Sequence, residues 1–260
     1  MDNLVIGSTS QISQYFPENF VKISSRNIDF NLIKSSNWDR IFLCFGESRK
    51  NLNDDDIYFQ INFDLTIRII NEIKSHANKI IVYSTCELWN KYDGQISIDL
   101  PFDFYNTPYL NSKYKLTKLL IDNDELYQNI IIIYPFNFNS IKRSQDFLFG
   151  KIFNSIINKK EIEIGDTYFY RDMIHPKFVV DESINATSHK IVGSGRLIYV
   201  NDFIRDIYNY FNMNYNDYVI ENIGKYNEYD KRKEYYLKSN NCLYDYKQLL
   251  ADTIKDINIL

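Results

Sequence analysis

Glycine is scarce in this 260-residue chain, with eight residues, and there are only five prolines and three cysteines. Few glycines leave few places where the backbone can turn through positive φ or press close to a ligand, so each one kept carries information. The cysteines, Cys44, Cys86 and Cys242, are odd in number and lack the close spacing of metal ligands. That argues against a disulfide framework and against a metal site, and for reduced thiols in a cytoplasmic protein. Long hydrophobic runs are also missing. The longest, Ile41–Phe45 and Ile130–Tyr134, have strand length, far short of the ~20 residues that span a bilayer. Met1–Gly7 shows no basic region followed by an apolar run, so no signal peptide is expected. There is no excess of positive charge: the formal net charge is -4. Neither nucleic acid nor an anionic membrane surface is therefore an expected partner.

What is present is ordinary for a globular chain: 45% hydrophobic and 25% charged residues. The length suits one large α/β domain carrying a small lobe. Short apolar runs at Leu4–Ile6, Phe20–Ile23, Arg40–Phe45, Lys79–Tyr83 and Asn129–Tyr134 read as strands. Helices are expected from about Gln11, over residues 55–75 with Ile57, Ile61, Leu65, Ile69 and Ile73 on one stripe, and from Pro108 to Asp122. Continuous apolar strands alternating with helices predict a doubly wound parallel sheet, the Rossmann-like α/β class, with polar residues gathered at the strand ends. The pattern loosens after residue 137. It gives a helix near 147–158, a hairpin-like piece over 161–170, a helix from Pro176 into Ser188, a strand at Leu197–Val200, a helix near 202–211 and a last helix over 244–254. The division expected is a nucleotide-binding core over 1–165 and a mainly substrate-binding lobe over 166–260, with strands exchanged between them. Asp54-Asp55-Asp56 reads as a helix-start charge cluster.

Tyr109 and Lys113 stand four residues apart near the start of a predicted helix, so both side chains share one face. A phenol titrates near ~10, and a cation held beside it brings that value toward a range useful for proton transfer. Such a pair is weak alone in a chain with 22 tyrosines. Its context is what matters.

That context resembles the extended short-chain dehydrogenase/reductase family, the group acting on nucleotide-linked sugars. Gly7-Ser8-Thr9-Ser10-Gln11-Ile12-Ser13 stands where the family has G-x-x-G-x-x-G, and Asn62–Thr66 resembles its N-V-x-G-T helix. Ser84-Thr85-Cys86-Glu87-Leu88-Trp89 is similar to S-T-x-E-[LV]-Y, and Tyr109 with Lys113 to Y-x-x-x-K. Pro135-Phe136-Asn137 resembles the R-P-x-N strand end, with Tyr134 in place of the arginine. Gly165-Asp166 and Arg171–His175 resemble G-D-G-x-x-x-R-D-F-I-H. The motifs run in order from the first strand to about residue 181. Two of the three loop glycines are replaced, by Ser10 and Ser13.

The resemblance implies roles. Tyr109 would exchange a proton with a sugar oxygen, Lys113 would lower its pKa and hold the nicotinamide ribose, and Thr85 would align the same oxygen. Glu87 would act as a base or orient Tyr109. Gly7, Ser8, Thr9, Ser10, Gln11, Ile12, Phe45 and Pro135 would line the cofactor, and Cys86, Asn137, Arg171 and His175 the substrate. The second strand ends in Ser24-Ser25-Arg26 without the carboxylate that commonly binds the ribose of NAD. Arginine there suits a 2′-phosphate, so NADP(H) is expected ahead of NAD(H).

The expected activity is NADPH-dependent reduction of a nucleotide-linked 4-keto-6-deoxy sugar, in the making of surface-polysaccharide sugars. Compact length, Arg26, and Cys86 where many dehydratases keep an acid point that way, as does Gln11, which resembles the loop of dTDP-4-dehydrorhamnose reductases. A 4-epimerase and a 4,6-dehydratase are the alternatives within the family. A non-catalytic nucleotide-sugar or NADPH-binding protein is the alternative outside it. The resemblance also implies a homodimer packed through the tyrosine-bearing helix, for which Leu116, Leu119 and Leu120 are available.

Overall fold

A computed structural model describes residues 2–49, 52, 54–222 and 234–258. The apolar runs assemble into a six-stranded sheet. Its spatial order is Lys190–Val192, Ile130–Pro135, Ala77–Tyr83, Trp38–Leu43, Asn3–Ile6, Val21–Ile23. From Ile130–Pro135 to Val21–Ile23 all neighbours pair in parallel. These strands are nearly pure apolar because both faces are covered: Ile130 to Pro135 is buried throughout, as are Ile80, Ile81 and Val82. The first strand lies between the second and the third, so the winding direction reverses between Asn3–Ile6 and Trp38–Leu43. A reversal of this kind opens a crevice beyond the carboxyl ends of the two strands. Gly7 and Phe45 follow at those ends.

The chain divides into two compact units, each built from separated stretches. One comprises Met1–Leu88, Phe104–Pro135 and Val180–Ile191; the other comprises Trp89–Asp103, Phe136–Val179 and Val192–Leu260. Residues 136–165 thus fall in the second unit, and 180–191 in the first. No helix among the described residues is long and apolar enough to cross a membrane.

Several elements differ from the sequence reading. The helix expected from Gln11 is a single 3-10 turn, Ile12–Tyr15. Pro17 ends it: the residue before a proline is driven out of the helical region, and Phe16 is extended at φ -69 and ψ 146. Packing that a longer helix would supply comes from rings, with Phe16 4.6 Å and Phe20 5.9 Å from Phe42. The helix over 55–75 is interrupted by a π-helical segment, Gln60–Leu65, between Asp56–Phe59 and Thr66–Ile73. The extra residue per turn rephases the buried face. Ile57, Ile61 and Leu65 are only half-buried, while Tyr58, Asn62 and Thr66 are buried with Ile69 and Ile73.

The piece over 161–170 is not a hairpin. Ile162–Ile164 pairs in parallel with Val219–Glu221, and Tyr170–Arg171 pairs antiparallel with Ile198–Tyr199. Alternation marks a strand but does not name its partner. The helix from Pro176 stops at Ile184, and Lys190–Val192, absent from the sequence reading, forms a sheet edge. The Pro108–Asp122 helix has the expected bounds. Proline suits its first turn, and the Thr107 hydroxyl caps it by accepting from Leu110 N–H at 3.2 Å. Leu116 and Leu120 are buried within this chain and Leu119 is half-buried, so that face packs on its own core.

Candidate active site

In the first unit the chemistry gathers at the carboxyl end of the Ala77–Tyr83 strand. The Thr107 cap fixes where the facing helix begins, which sets Tyr109 and Lys113 one turn apart. Lys113 is buried, with its side-chain Nζ donating to the Tyr83 carbonyl oxygen at 2.9 Å. Burial disfavours the charged ammonium and brings the Lys113 pKa down to about 8. An ammonium has three donors, and the Tyr83 bond uses one. Space beside Nζ is kept open by Gly46, where a Cβ would lie 3.3 Å from Nζ and 3.0 Å from Asn62 Oδ1. Tyr109 is half-buried, with its ring edge-on to Tyr58 at 6.3 Å between centroids.

Beyond the same strand, the Thr85 hydroxyl oxygen accepts from Glu87 N–H at 3.2 Å, capping the 3-10 turn Cys86–Trp89. That bond occupies a lone pair and leaves the hydroxyl proton to donate elsewhere. Cys86 is buried, 1% exposed, and Glu87 is half-buried. Ser84 and Thr117 share a buried hydroxyl bond of 2.9 Å, joining strand end and helix.

The sequence reading quoted Asn62 as part of a motif but gave it no role. The structure gives it one. Asn62 is buried, 1% exposed, on the π-helical segment. Its amide donates to Glu47 O at 2.9 Å and Ser112 Oγ at 3.0 Å, while Oδ1 accepts from Glu47 N–H at 2.8 Å. It therefore ties the loop after Trp38–Leu43 to the helix of Tyr109 and Lys113.

The first turn is built around Gly7. Its φ is +111, and a Cβ there would sit 2.6 Å from the Cys44 carbonyl oxygen, so only glycine fits. Gly7 and Ser8 N–H groups both donate to Ile23 O, at 2.8 and 3.0 Å. Ser13 is fully buried, and its hydroxyl lies 2.8 Å from both Ser8 O and Ser10 O, while its N–H donates to Ser10 Oγ at 3.2 Å. Ser8, Ser10 and Gln11 are half-buried, Thr9 is exposed and Ile12 is buried. Phe45 is half-buried and Pro135 buried, each at a strand end. Arg26 is exposed, its N–H donating to Ser24 Oγ at 3.1 Å. The nearest following carboxylate, Asp29, is engaged in capping Asn31 and Leu32.

These residues fit a dinucleotide. Gly7 opens the crevice at the winding reversal, and the gap left by Gly46 lies against Lys113 Nζ, the donor such a cofactor would need. The helix usually found after the first strand is reduced to one turn, so the fit rests on the loop and on the strand ends.

The second unit holds the remaining predicted residues. Asn137 is half-buried and paired opposite Met173. Arg171 is buried, its guanidinium 4.6 Å from the Phe169 ring centroid and donating to Tyr170 O at 2.8 Å. His175 is buried, with Nε2 3.0 Å from Asp256 Oδ2 and Nδ1 accepting from Lys177 N–H at 3.3 Å. This arrangement joins the start of the Pro176–Ile184 helix to the C-terminal helix Tyr246–Asn258.

The fold is widely shared. The structure of RMD from Pseudomonas aeruginosa complexed with NADPH is similar with a TM-score of 0.79 at 13% identity, over 100% of both chains. A UDP-N-acetylglucosamine 4-epimerase from Methanobrevibacter ruminantium, in complex with UDP-N-acetylmuramic acid, gives 0.79 at 15% identity over 99% of this chain and 98% of its own. A dTDP-glucose 4,6-dehydratase from Bacillus anthracis, in complex with NAD, gives 0.77 at 14% over 100% and 97%. No curated protein matches the sequence. Residues 4–200 match the sequence pattern of one family, and the chain belongs to it: the NAD dependent epimerase/dehydratase family.

Proposed function

We propose that this chain reduces the 4-keto group of a nucleotide-linked 6-deoxy sugar with NADPH. The observation that carries reduction over dehydration is Cys86. It occupies the position where many dehydratases keep an acid, and it is a thiol buried to 1% exposure. Such a group is poorly suited to protonate a departing hydroxyl. Reduction needs no such acid. The chemistry that the nicotinamide supplies when bound is a hydride. Tyr109 delivers the proton to the carbonyl oxygen, Thr85 donates a hydrogen bond to the same oxygen, and protonated Lys113 favours the tyrosinate left behind. Glu87 orients this group. Asn137 and Arg171 bind the diphosphate side of the substrate.

A first strand followed by one 3-10 turn supports loose cofactor retention, which a reductase needs because it exchanges NADP(H) at each turnover. Preference for NADPH is supported by Arg26 and by the engagement of Asp29 in its helix cap; the similar RMD structure holds NADPH as well. Arg26→Ala should weaken NADPH binding by about tenfold and NADH little, since a charge-assisted contact is lost. Equal losses in parallel titrations would remove this argument. We further place the enzyme in the cytoplasm, where its three cysteine thiols stay reduced, and in a homodimer.

A 4-epimerase or 4,6-dehydratase is the second reading, favoured by the half-buried Glu87 beside Thr85. The deciding experiment follows NADPH absorbance with a panel of 4-keto sugar nucleotides. Oxidation with one of them supports the reductase. Binding of the sugar nucleotides with no NADPH consumption, and conversion of 4-hydroxy sugars instead, would overturn it.

A further inference from the structure

Asp172 sits where the chain of the second unit changes partners. On one side, Tyr170–Arg171 pairs antiparallel with Ile198–Tyr199, Arg171 opposite Ile198. On the other, Met173–Ile174 pairs in parallel with Asn137–Phe138, Met173 opposite Asn137. Residue 172 is the single step between the two ladders, and each ladder carries one of the residues assigned above to the substrate diphosphate.

The Asp172 side chain is fully buried. Its Oδ1 accepts from Ser194 N–H and Ser194 Oγ–H, both at 2.7 Å. Its Oδ2 accepts from Gly195 N–H at 3.2 Å and Leu237 N–H at 3.1 Å. Four donors fill the acceptor capacity of one carboxylate. Burial pushes the Asp172 carboxyl above the ordinary aspartate range, and the bonds from Ser194, Leu237 and Gly195 oppose that push by favouring the charged form. A buried carboxylate this costly is retained only where its bonds are needed. The surroundings leave no slack. A Cβ on Gly193 would lie 2.7 Å from Asp172 Oδ2 and 2.6 Å from the Phe136 ring, and Phe136 N–H donates to Val192 O at 2.8 Å.

We propose that Asp172 is a positioning residue for the nucleotide-sugar site, its carboxylate clamping the 193–195 turn and Leu237 so that the strands bearing Asn137 and Arg171 hold one register. This rests on the reading that Asn137 and Arg171 bind the substrate diphosphate. Two variants separate positioning from general stability. Asp172→Asn keeps an acceptor for Ser194 but turns an amide donor toward the Gly195 and Leu237 donors. Ser194→Ala removes one hydroxyl and leaves the carboxylate intact.

The full chain and both variants are titrated by calorimetry with UDP-glucose, dTDP-glucose, GDP-mannose and NADPH. Hydrogen exchange is followed in parallel at residues 136–138 and 170–174. Whichever sugar nucleotide binds should bind about tenfold more weakly to Asp172→Asn and about threefold more weakly to Ser194→Ala, with the NADPH dissociation constant changed by less than about twofold. Exchange should quicken in both ladders. Unchanged sugar-nucleotide affinity in the folded variants overturns the proposal, as does a parallel loss of NADPH binding. Should Asp172→Asn fail to fold, Ser194→Ala decides by the same criteria. If the unaltered chain binds NADPH and none of the three sugar nucleotides, the functional reading falls. Unchanged exchange at the two ladders would then overturn the clamp separately.

Discussion

Tyr109 and Lys113 make the most direct predictions. On the proposed mechanism Tyr109→Phe removes only the proton-transfer group, so turnover should drop by at least about a hundredfold, the lower range for general acid–base catalysis, while NADPH affinity stays near normal. A variant with wild-type rates in the NADPH assay would dismiss Tyr109 from the mechanism. Lys113, with its pKa brought down to about 8 by burial, should give a pH-dependent rate. The protonated form supports the tyrosinate, so kcat/KM should fall as pH rises through about 8. A profile flat to pH 10 would contradict this. The placement of Tyr109 and Lys113 one turn apart on a helix, and of Thr85 just past a strand end, was legible in the sequence because each depends only on local residues. Asn62 was not given a role, because its partners Glu47 and Ser112 are 15 and 50 residues away and only the fold brings them to it.

At the scale of elements, the strands and the Tyr109 helix could be read from periodicity and end signals. Thr107, Pro108 and an amphipathic run define that helix from its own residues. Thr107→Ala should cost about 1 kcal/mol of stability, measured by urea unfolding, because Leu110 N–H loses its cap. No change would mean that the helix start is held by packing alone. What the sequence did not display was partnership and phase. Ile162–Ile164 finds Val219–Glu221 far along the chain, where local alternation had suggested a hairpin. The π-helical segment shifts burial from Ile57 and Ile61 to Tyr58 and Asn62, a change that a fixed 3.6-residue period does not contain. The first helix fails through one proline, Pro17, whose effect on Phe16 outweighs the propensity upstream.

For the molecule as a whole, the alternation of apolar strands with helices correctly indicated a parallel α/β fold, and the motif order indicated the family. The interleaving of stretches between the two units was less visible, since it depends on which segments touch. The pH dependence of stability belongs at this scale. Lys113 has an ordinary value of 10.5 and about 8 in the folded chain, so the unfolded chain binds more protons between those values. Its contribution to stability therefore rises with pH through that window and is least favourable below about 8. Thermal unfolding scans from pH 7.5 to 10 of the wild type against Lys113→Met would reveal this as a difference in slope. In the second unit, Asp256→Ala would leave His175 Nε2 without that acceptor in a buried position. A loss of about 1–3 kcal/mol is expected from the broken tie to the C-terminal helix, with NADPH affinity unaffected. Unchanged stability would show that the helix is docked by apolar packing alone.

The serine-knit first turn has a consequence for anyone redesigning the protein. Compared with the family pattern, Ser13 looks like a defect to be repaired. Yet its hydroxyl lies within bonding distance of two loop carbonyls, and its N–H takes a third bond inside the same turn. Glycine at this position would add backbone freedom to the unfolded chain and would remove the hydroxyl that braces the Ser8 and Ser10 carbonyls, keeping only the backbone N–H bond to Ser10 Oγ. Here the family consensus is the wrong template, because the loop has exchanged one solution, a bare backbone under a helix, for another, a cross-linked turn without one. Restoring the older solution would require the missing helix first and the glycines afterwards.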